Sequence, residues 1–221
     1  MIGNEIRQQI FRDTKNFYLH FPVDAVAPQL IEFAKEHAGQ AVLDLGCATG
    51  NYCTHLSRLG YAVKGADVNA EYVALACQRG VDACVFENTV PFPDDSFDTV
   101  LLFEVLEHLH HPEEAIAEAK RLARKNVLFT VPNSADVEML RQTGLIYEHF
   151  ADLDHRNYFT MESLRGLLQP HFARVQVTQG DPINPLGLSH SKLMRRIGSR
   201  FMRMGILKPR FFFRLYAVAE T

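Results

Sequence analysis

The stretch Val42-Leu43-Asp44-Leu45-Gly46-Cys47-Ala48-Thr49-Gly50 constrains this chain more than any other. Residues 41–45 form a short apolar run of the kind buried in parallel sheets. The run stops at small residues, which turn the chain into helical spacing over residues 51–59. Glycine lets a ligand approach the backbone closely, and the helix N-terminus behind it offers free N–H groups. In dinucleotide enzymes that end holds a pyrophosphate. Asp44 argues for a different ligand, because a carboxylate just before the turn repels phosphate and suits an ammonium group. The G-x-x-x-G spacing also departs from the G-x-G-x-x-G nicotinamide fingerprint. Asp67 ends the next apolar run, 21 positions after Gly46, where an acid can accept both hydroxyls of a ribose.

Strand and helix patterns alternate around this turn. Strands are predicted over residues 41–45, 61–67, 82–86, 97–103 and 126–131, with helices over 51–59, 70–79 and 112–123. A helix over 160–169, with Thr160 as N-cap, leads to two further strands at 173–178 and 211–219. The expected fold is α/β: a Rossmann-like, seven-stranded, mostly parallel sheet with helices on both faces. An N-terminal helical segment precedes it, and a basic helical insertion comes before the last strand. A chain of 221 residues fits a single domain. Its expected parts are an N-terminal helical cap (1–38), a cofactor-binding core (39–180), the basic insertion (181–210) and the last strand (211–221).

Composition narrows the function classes. A formal charge of −3 gives no global attraction to nucleic acid or to an anionic membrane. Cys47, Cys53, Cys77 and Cys84 make no C-x-x-C pair and no zinc-finger spacing, so reduced thiols are expected. The first residues lack a secretion signal, and no apolar run reaches the ~18 residues that span a bilayer. The expected location is the cytoplasm.

The motifs in order carry a family resemblance. Leu43–Gly50 resembles the first motif of class I S-adenosylmethionine-dependent methyltransferases, and Gly65-Ala66-Asp67-Val68 the second. Val90-Pro91-Phe92-Pro93-Asp94-Asp95-Ser96-Phe97-Asp98 resembles that family's loop into the fourth strand. Phe103-Glu104-Val105-Leu106-Glu107-His108-Leu109 resembles its fourth motif. The match spans roughly residues 38–180. It implies S-adenosylmethionine as cofactor, with Asp44, Gly46 and Gly50 lining its methionine and ribose and Asp67 holding the ribose hydroxyls. Cys47, Val68 and Phe103 lie in the same motifs and are carried with them as cofactor-binding positions. Ala48 departs from the family's usual third glycine. The acid expected after the third strand, near the adenine, is shifted to Glu87 or replaced by Asn88.

Methyl transfer needs alignment and a dry site, and a hydroxyl or amine acceptor must also lose a proton. Glu104, Glu107 and His108 follow the fourth strand, and share a face if the chain turns helical there. In one reading His108 is the general base, as in the ubiquinone-biosynthesis O-methyltransferases, which this Glu-x-x-Glu-His run resembles. In another, Glu104, Glu107, His108 and a downstream His155 bind a divalent metal. That set resembles small-RNA 3′-terminal 2′-O-methyltransferases; the metal is an alternative rather than the expectation. In a third reading Glu107 and His108 only start a helix, and Glu104 packs under the cofactor. His110 and His111, before Pro112, are expected to be solvated. Tyr18 and His20 either cap the cofactor or pack with Phe17 and Phe21.

Residues 182–219 contain no Asp or Glu but eight cations: Lys192, Arg195, Arg196, Arg200, Arg203, Lys208, Arg210 and Arg214. Leu193, Met194, Ile197, Phe201 and Met204 recur among them at helical spacing. The apolar stripe either joins the core or, through residues 192–214, meets a membrane surface or a phosphorylated partner; RNA is less favoured. The expected function is methyl transfer to a small-molecule, lipid-linked or sugar-like acceptor, at oxygen. The alternatives are a metal-dependent RNA 2′-O-methyltransferase and a non-catalytic cofactor-binding regulatory or partner module.

Overall fold

The computed structural model describes residues 22–134, 155–184, 186, 191–209 and 211–221. Seven strands form one sheet: β1 (Ala41–Leu45), β2 (Ala62–Asp67), β3 (Ala83–Val85), β4 (Phe97–Phe103), β5 (Ala123–Pro132), β6 (Arg174–Pro182) and β7 (Phe212–Glu220). Their order is β3-β2-β1-β4-β5-β7-β6. The first five strands pair in parallel, and β7 runs antiparallel between β5 and β6. The chain builds outward from β1 to β3 and then returns to place β4 on the other side of β1. That reversal opens a crevice at the C-terminal ends of β1 and β4, the place where such sheets bind ligands.

The sheet is a middle layer because its strands are apolar on both faces. Alternate residues enter two cores. Leu43, Val100, Leu102 and Phe129 meet Ile116, Ala119 and Leu122 of α4 (Pro112–Leu122), together with Leu164 and Leu168 of α5 (Met161–Leu168). On the opposite face Val42, Leu101, Phe103 and Leu128 pack with Leu30, Ile31 and Ala34 of α1 (Pro28–His37) and Leu56 of α2 (Asn51–Arg58). This period of two is what a half-turn per residue dictates. Asn69 caps α3 (Ala70–Gln78) by accepting from the N–H groups of Glu71 and Tyr72. Thr160 and Ser163 form a reciprocal capping box on α5.

Several expected boundaries move. β5 begins at Ala123 rather than 126, because α4 ends directly into the strand and Ala123 pairs with Phe97 across a register shift. β6 continues to Pro182, four residues past the expected 178, because Gly180 and Pro182 still pair with β7. The basic insertion forms α6 (Lys192–Arg203), but its apolar stripe does not join the core. Leu193 and Met204 are 66% and 59% exposed, and only Gly198 of this helix is buried. Tyr18 and His20 lie outside the described residues. Among the described residues no helix is long and apolar enough to cross a membrane.

Candidate active site

The turn after β1 is tightly specified. Gly46, Ala48 and Gly50 all have positive φ, at 87°, 44° and 76°. The N–H groups of Gly46 and Cys47 both donate to the Ala66 carbonyl, at 2.8 and 3.1 Å, which pins the turn to the end of β2. A Cβ on Gly46 would stand 2.7 Å from Val105 Cγ2, so glycine is required there by space as well as by conformation. α2 starts at Gly50 with no side-chain cap, leaving first-turn N–H groups to other partners. Asp67 holds the turn from the far side: Oδ2 accepts from Ala48 N at 2.8 Å and Oδ1 from Asn69 N at 2.9 Å. With the Val68 N–H also acting on it, the carboxylate keeps lone-pair capacity for a ligand hydroxyl. Burial pushes the Asp67 carboxyl up, against the opposing pull of these N–H groups.

Asp44 sits under this turn, 2% exposed. Burial raises its pKa to about 7; the Cys53 thiol, 3.4 Å away, lowers it in part and the Asp67 charge adds to the rise. A carboxyl with a pKa of about 7 is partly protonated at neutral pH, and an arriving cation shifts it to the ionised form. The turn therefore fits S-adenosylmethionine: positive-φ backbone and the uncapped start of α2 present main-chain groups, beside a buried acid that a cation would ionise. Cys47 turns its Sγ toward Gly65, where a Cβ would be 2.7 Å from it, so Cys47 can offer the crevice only backbone. Val68 is 65% exposed just past β2, while Glu87 and Asn88 are exposed in the loop after β3. The Phe103 ring lies in the core against Tyr52, edge to face at 5.7 Å.

The run after β4 divides into two groups. Glu104 has φ +55°, and a 3₁₀ turn follows at Leu106–His108. The positive φ breaks any helix there, so Glu104, Glu107 and His108 do not share a face as expected. Glu104 turns instead to Arg214 on β7, with Oε1 3.2 Å from Nε. Arg214 also donates to Asp181 at the end of β6, and the Tyr216 hydroxyl donates to Asp181 Oδ1 at 3.0 Å. Burial raises the Glu104 pKa while the Arg214 charge opposes that rise.

Glu107, 1% exposed, joins His108 and His155. One potential ligand atom from each lies within 4.8 Å of the others, and the two imidazoles meet edge to face with centroids 4.8 Å apart. The downstream segment is clamped there by backbone and by Asn157. Arg156 N and Asn157 N donate to the Glu107 carbonyl, at 2.6 and 3.0 Å. Asn157 Nδ2 donates to the carbonyls of Leu106 and Leu109, at 2.9 and 2.7 Å.

Comparison with known proteins now decides the family. A methyltransferase-domain family model matches residues 18–171. The chain belongs to the class I S-adenosylmethionine-dependent methyltransferases. A ubiquinone biosynthesis O-methyltransferase from Hahella chejuensis is 30% identical over 114 residues, covering 47% of this chain and 48% of that protein. A probable tRNA methyltransferase 9B from Homo sapiens is 31% identical over 99 residues, 44% of this chain and 21% of that one. This methyltransferase thus spans half or less of the length of these two curated relatives. A solved S-adenosylmethionine-dependent methyltransferase from Archaeoglobus fulgidus shares the fold with a TM-score of 0.67, at 18% identity and 99% coverage of both chains.

In this methyltransferase the structure brings three of the four expected metal-site residues together. Glu104 is the exception, because the Arg214 pair draws it away. His110 and His111 are exposed on the approach to α4. Arg214, Asp181, Tyr216 and Tyr52 did not stand out in the sequence as site residues. Arg214, one of the cations of residues 182–219, lies on the last strand as an ion-paired member of this crevice. The available signal was Phe213-Arg214-Leu215-Tyr216, a strand alternation that aims Arg214 and Tyr216 to one side.

Proposed function

We propose that this chain transfers a methyl group from S-adenosylmethionine to a hydroxyl of a small-molecule, lipid-linked or sugar-like acceptor. The observation that carries the reading is the contact of Val105 with the Gly46 turn, which sets the 104–108 run directly beside the cofactor cradle. When bound, the cofactor supplies an electrophilic methyl on a sulfonium. Asp44 offers its carboxylate to the ammonium group and Asp67 accepts from the ribose hydroxyls. The uncapped start of α2 adds backbone N–H donors. His108 takes the acceptor's proton, and Glu107 beside it stabilises the imidazolium that results. The ubiquinone-pathway relative supports a small acceptor. The tRNA-methyltransferase relative is covered over only 21% of its length, against 48% for the ubiquinone-pathway relative, and the formal charge of −3 does not favour RNA.

One observation favours a second reading, in which a divalent ion is held by Glu107, His108 and His155. An acceptor with two adjacent hydroxyls would complete its coordination.

Calorimetric titration with S-adenosylmethionine and S-adenosylhomocysteine, with NAD as control, comes first. Binding of the first two alone is the expected result. Release of S-adenosylhomocysteine is then followed with a panel of phenolic, catecholic and polyprenylated acceptors, with EDTA or with Mn²⁺. His108→Ala should lower kcat by roughly 10²–10⁴ with cofactor affinity unchanged. Activity that persists in EDTA assigns His108 as base, and strict Mn²⁺ dependence assigns the metal. Cofactor binding without turnover of any acceptor class would give the lead to a non-catalytic module.

A further inference from the structure

We propose that α6 and the turn after it dock this protein on an anionic lipid surface. Three sides of the helix have different roles. One side rests on the protein: Gly198 lies so close to Asn184 Oδ1 that any Cβ would collide, and Asn184 Nδ2 donates to the Arg195 carbonyl and Ser199 Oγ, at 3.0 and 3.1 Å. A second side is apolar and open. Leu193, Met194, Phe201 and Met204 are 66%, 41%, 42% and 59% exposed. Ile206, 63% exposed, is folded back beside them by its N–H bond to the Phe201 carbonyl, at 3.0 Å. A soluble monomer rarely leaves so many large apolar side chains together in water. The third side is basic, carrying Lys192, Arg195, Arg196, Arg200 and Arg203.

Charge complementarity selects the occupant. The five cations of α6, in a chain of net charge −3, leave −8 on the rest. The chain as a whole is not drawn to anionic lipid, and this helix supplies the local attraction. An apolar row flanked by cations suits the headgroup boundary, where the row enters the acyl region and lysine and arginine stay at the phosphates. RNA would satisfy the cations but leave Leu193, Phe201 and Ile206 in water. The position of α6 adds a consequence. It leaves the sheet after Pro182 and returns at Phe212, and β7 there pairs with Pro132 at the C-terminal end of β5. A docked α6 therefore holds the crevice end of the sheet toward the lipid. The inference stands whatever the acceptor proves to be.

The chain contains no tryptophan, so Phe201→Trp in the full-length protein supplies a sole reporter. Mixed phosphatidylglycerol–phosphatidylcholine vesicles should shift its emission to the blue, and pure phosphatidylcholine should not. Added salt should weaken the binding. Within this reporter, Arg196→Gln/Arg200→Gln and Leu193→Ser/Met204→Ser should each lower partitioning about tenfold or more, with unchanged circular dichroism and S-adenosylmethionine affinity. No blue shift with anionic vesicles overturns the proposal. So does partitioning that survives the serine substitutions, or binding of poly(U) RNA in place of vesicles with the same loss in the arginine variant.

Discussion

Asp44 shows how one residue can tie cofactor binding to pH. Its pKa of about 7 lies above the ordinary 3.8, so folding takes up a proton between these values. The carboxyl's contribution to stability is therefore largest at acid pH and is lost as pH rises through about 7. A bound ammonium reverses the preference, since it needs the carboxylate. S-adenosylmethionine affinity should weaken as pH falls below about 7, with proton release seen by calorimetry in buffers of different ionisation enthalpy. Affinity that stays flat from about pH 6 to about pH 8 would remove Asp44 from the ligand's charge balance. Asp44→Asn should weaken cofactor binding yet raise ligand-free stability at about pH 8 by roughly 1–3 kcal/mol. Ala48 gives a second residue-scale prediction. Its φ of 44° costs a side-chain-bearing residue about 1–2 kcal/mol, and glycine's looser unfolded chain costs about 0.4–1 kcal/mol. Ala48→Gly should thus stabilise by about 0.5–1 kcal/mol in chemical denaturation; a lower midpoint would show that the strain is absorbed elsewhere. The turn at Gly46–Gly50 and the place of Asp67 at the end of β2 were legible in the sequence, because the turn is local and each residue type follows from its conformation. Arg214 and Asp181 were not, because the ion network joins three strands far apart in the chain.

At the scale of elements, the 3₁₀ turn at Leu106–His108 and the segment from His155 act as one unit. Asn157 joins them through two carbonyls that the turn leaves without strand partners. Asn157→Ala should cost about 1–3 kcal/mol in stability and lower kcat while leaving S-adenosylmethionine affinity intact. Equal losses in kcat and cofactor affinity would mean that the substitution disturbs the whole sheet end. Helical spacing after Phe103 suggested one face for Glu104, Glu107 and His108; the positive φ of Glu104 overrode it, and nothing local in the sequence announces that conformation. The Thr160 cap was readable because capping is a matter of side-chain chemistry within three residues. The α6 stripe was equally readable as amphipathic, but periodicity alone does not say whether a helix turns its apolar side to the core or away from it.

For the whole molecule, a mostly parallel seven-stranded sheet was implied by the alternation of elements, whereas the strand order and the antiparallel placement of β7 between β5 and β6 were not read from the sequence. That insertion lets Arg214 reach Glu104 and Asp181 and so binds the ends of β4, β6 and β7 together. Arg214→Met would leave two partly buried carboxylates facing each other. It should cost about 2–4 kcal/mol, less than a fully buried pair because about a fifth of the arginine is open. The loss should be larger at neutral than at acid pH, where Glu104, its pKa raised by burial, protonates; a pH-independent loss would mean that packing over Phe213, rather than charge, holds the arginine.

The excursion that carries α6 begins and ends at one point, because Ile183 N donates to the Phe211 carbonyl at 2.9 Å. A loop stapled at its base can be exchanged for another with little strain on its host, and even doubling its length costs only about 0.6 kcal/mol in closure entropy. This edge of the sheet is thus a grafting site. A lineage could replace everything between those two residues and acquire a new cellular address, while inheriting the turn at Gly46 unaltered.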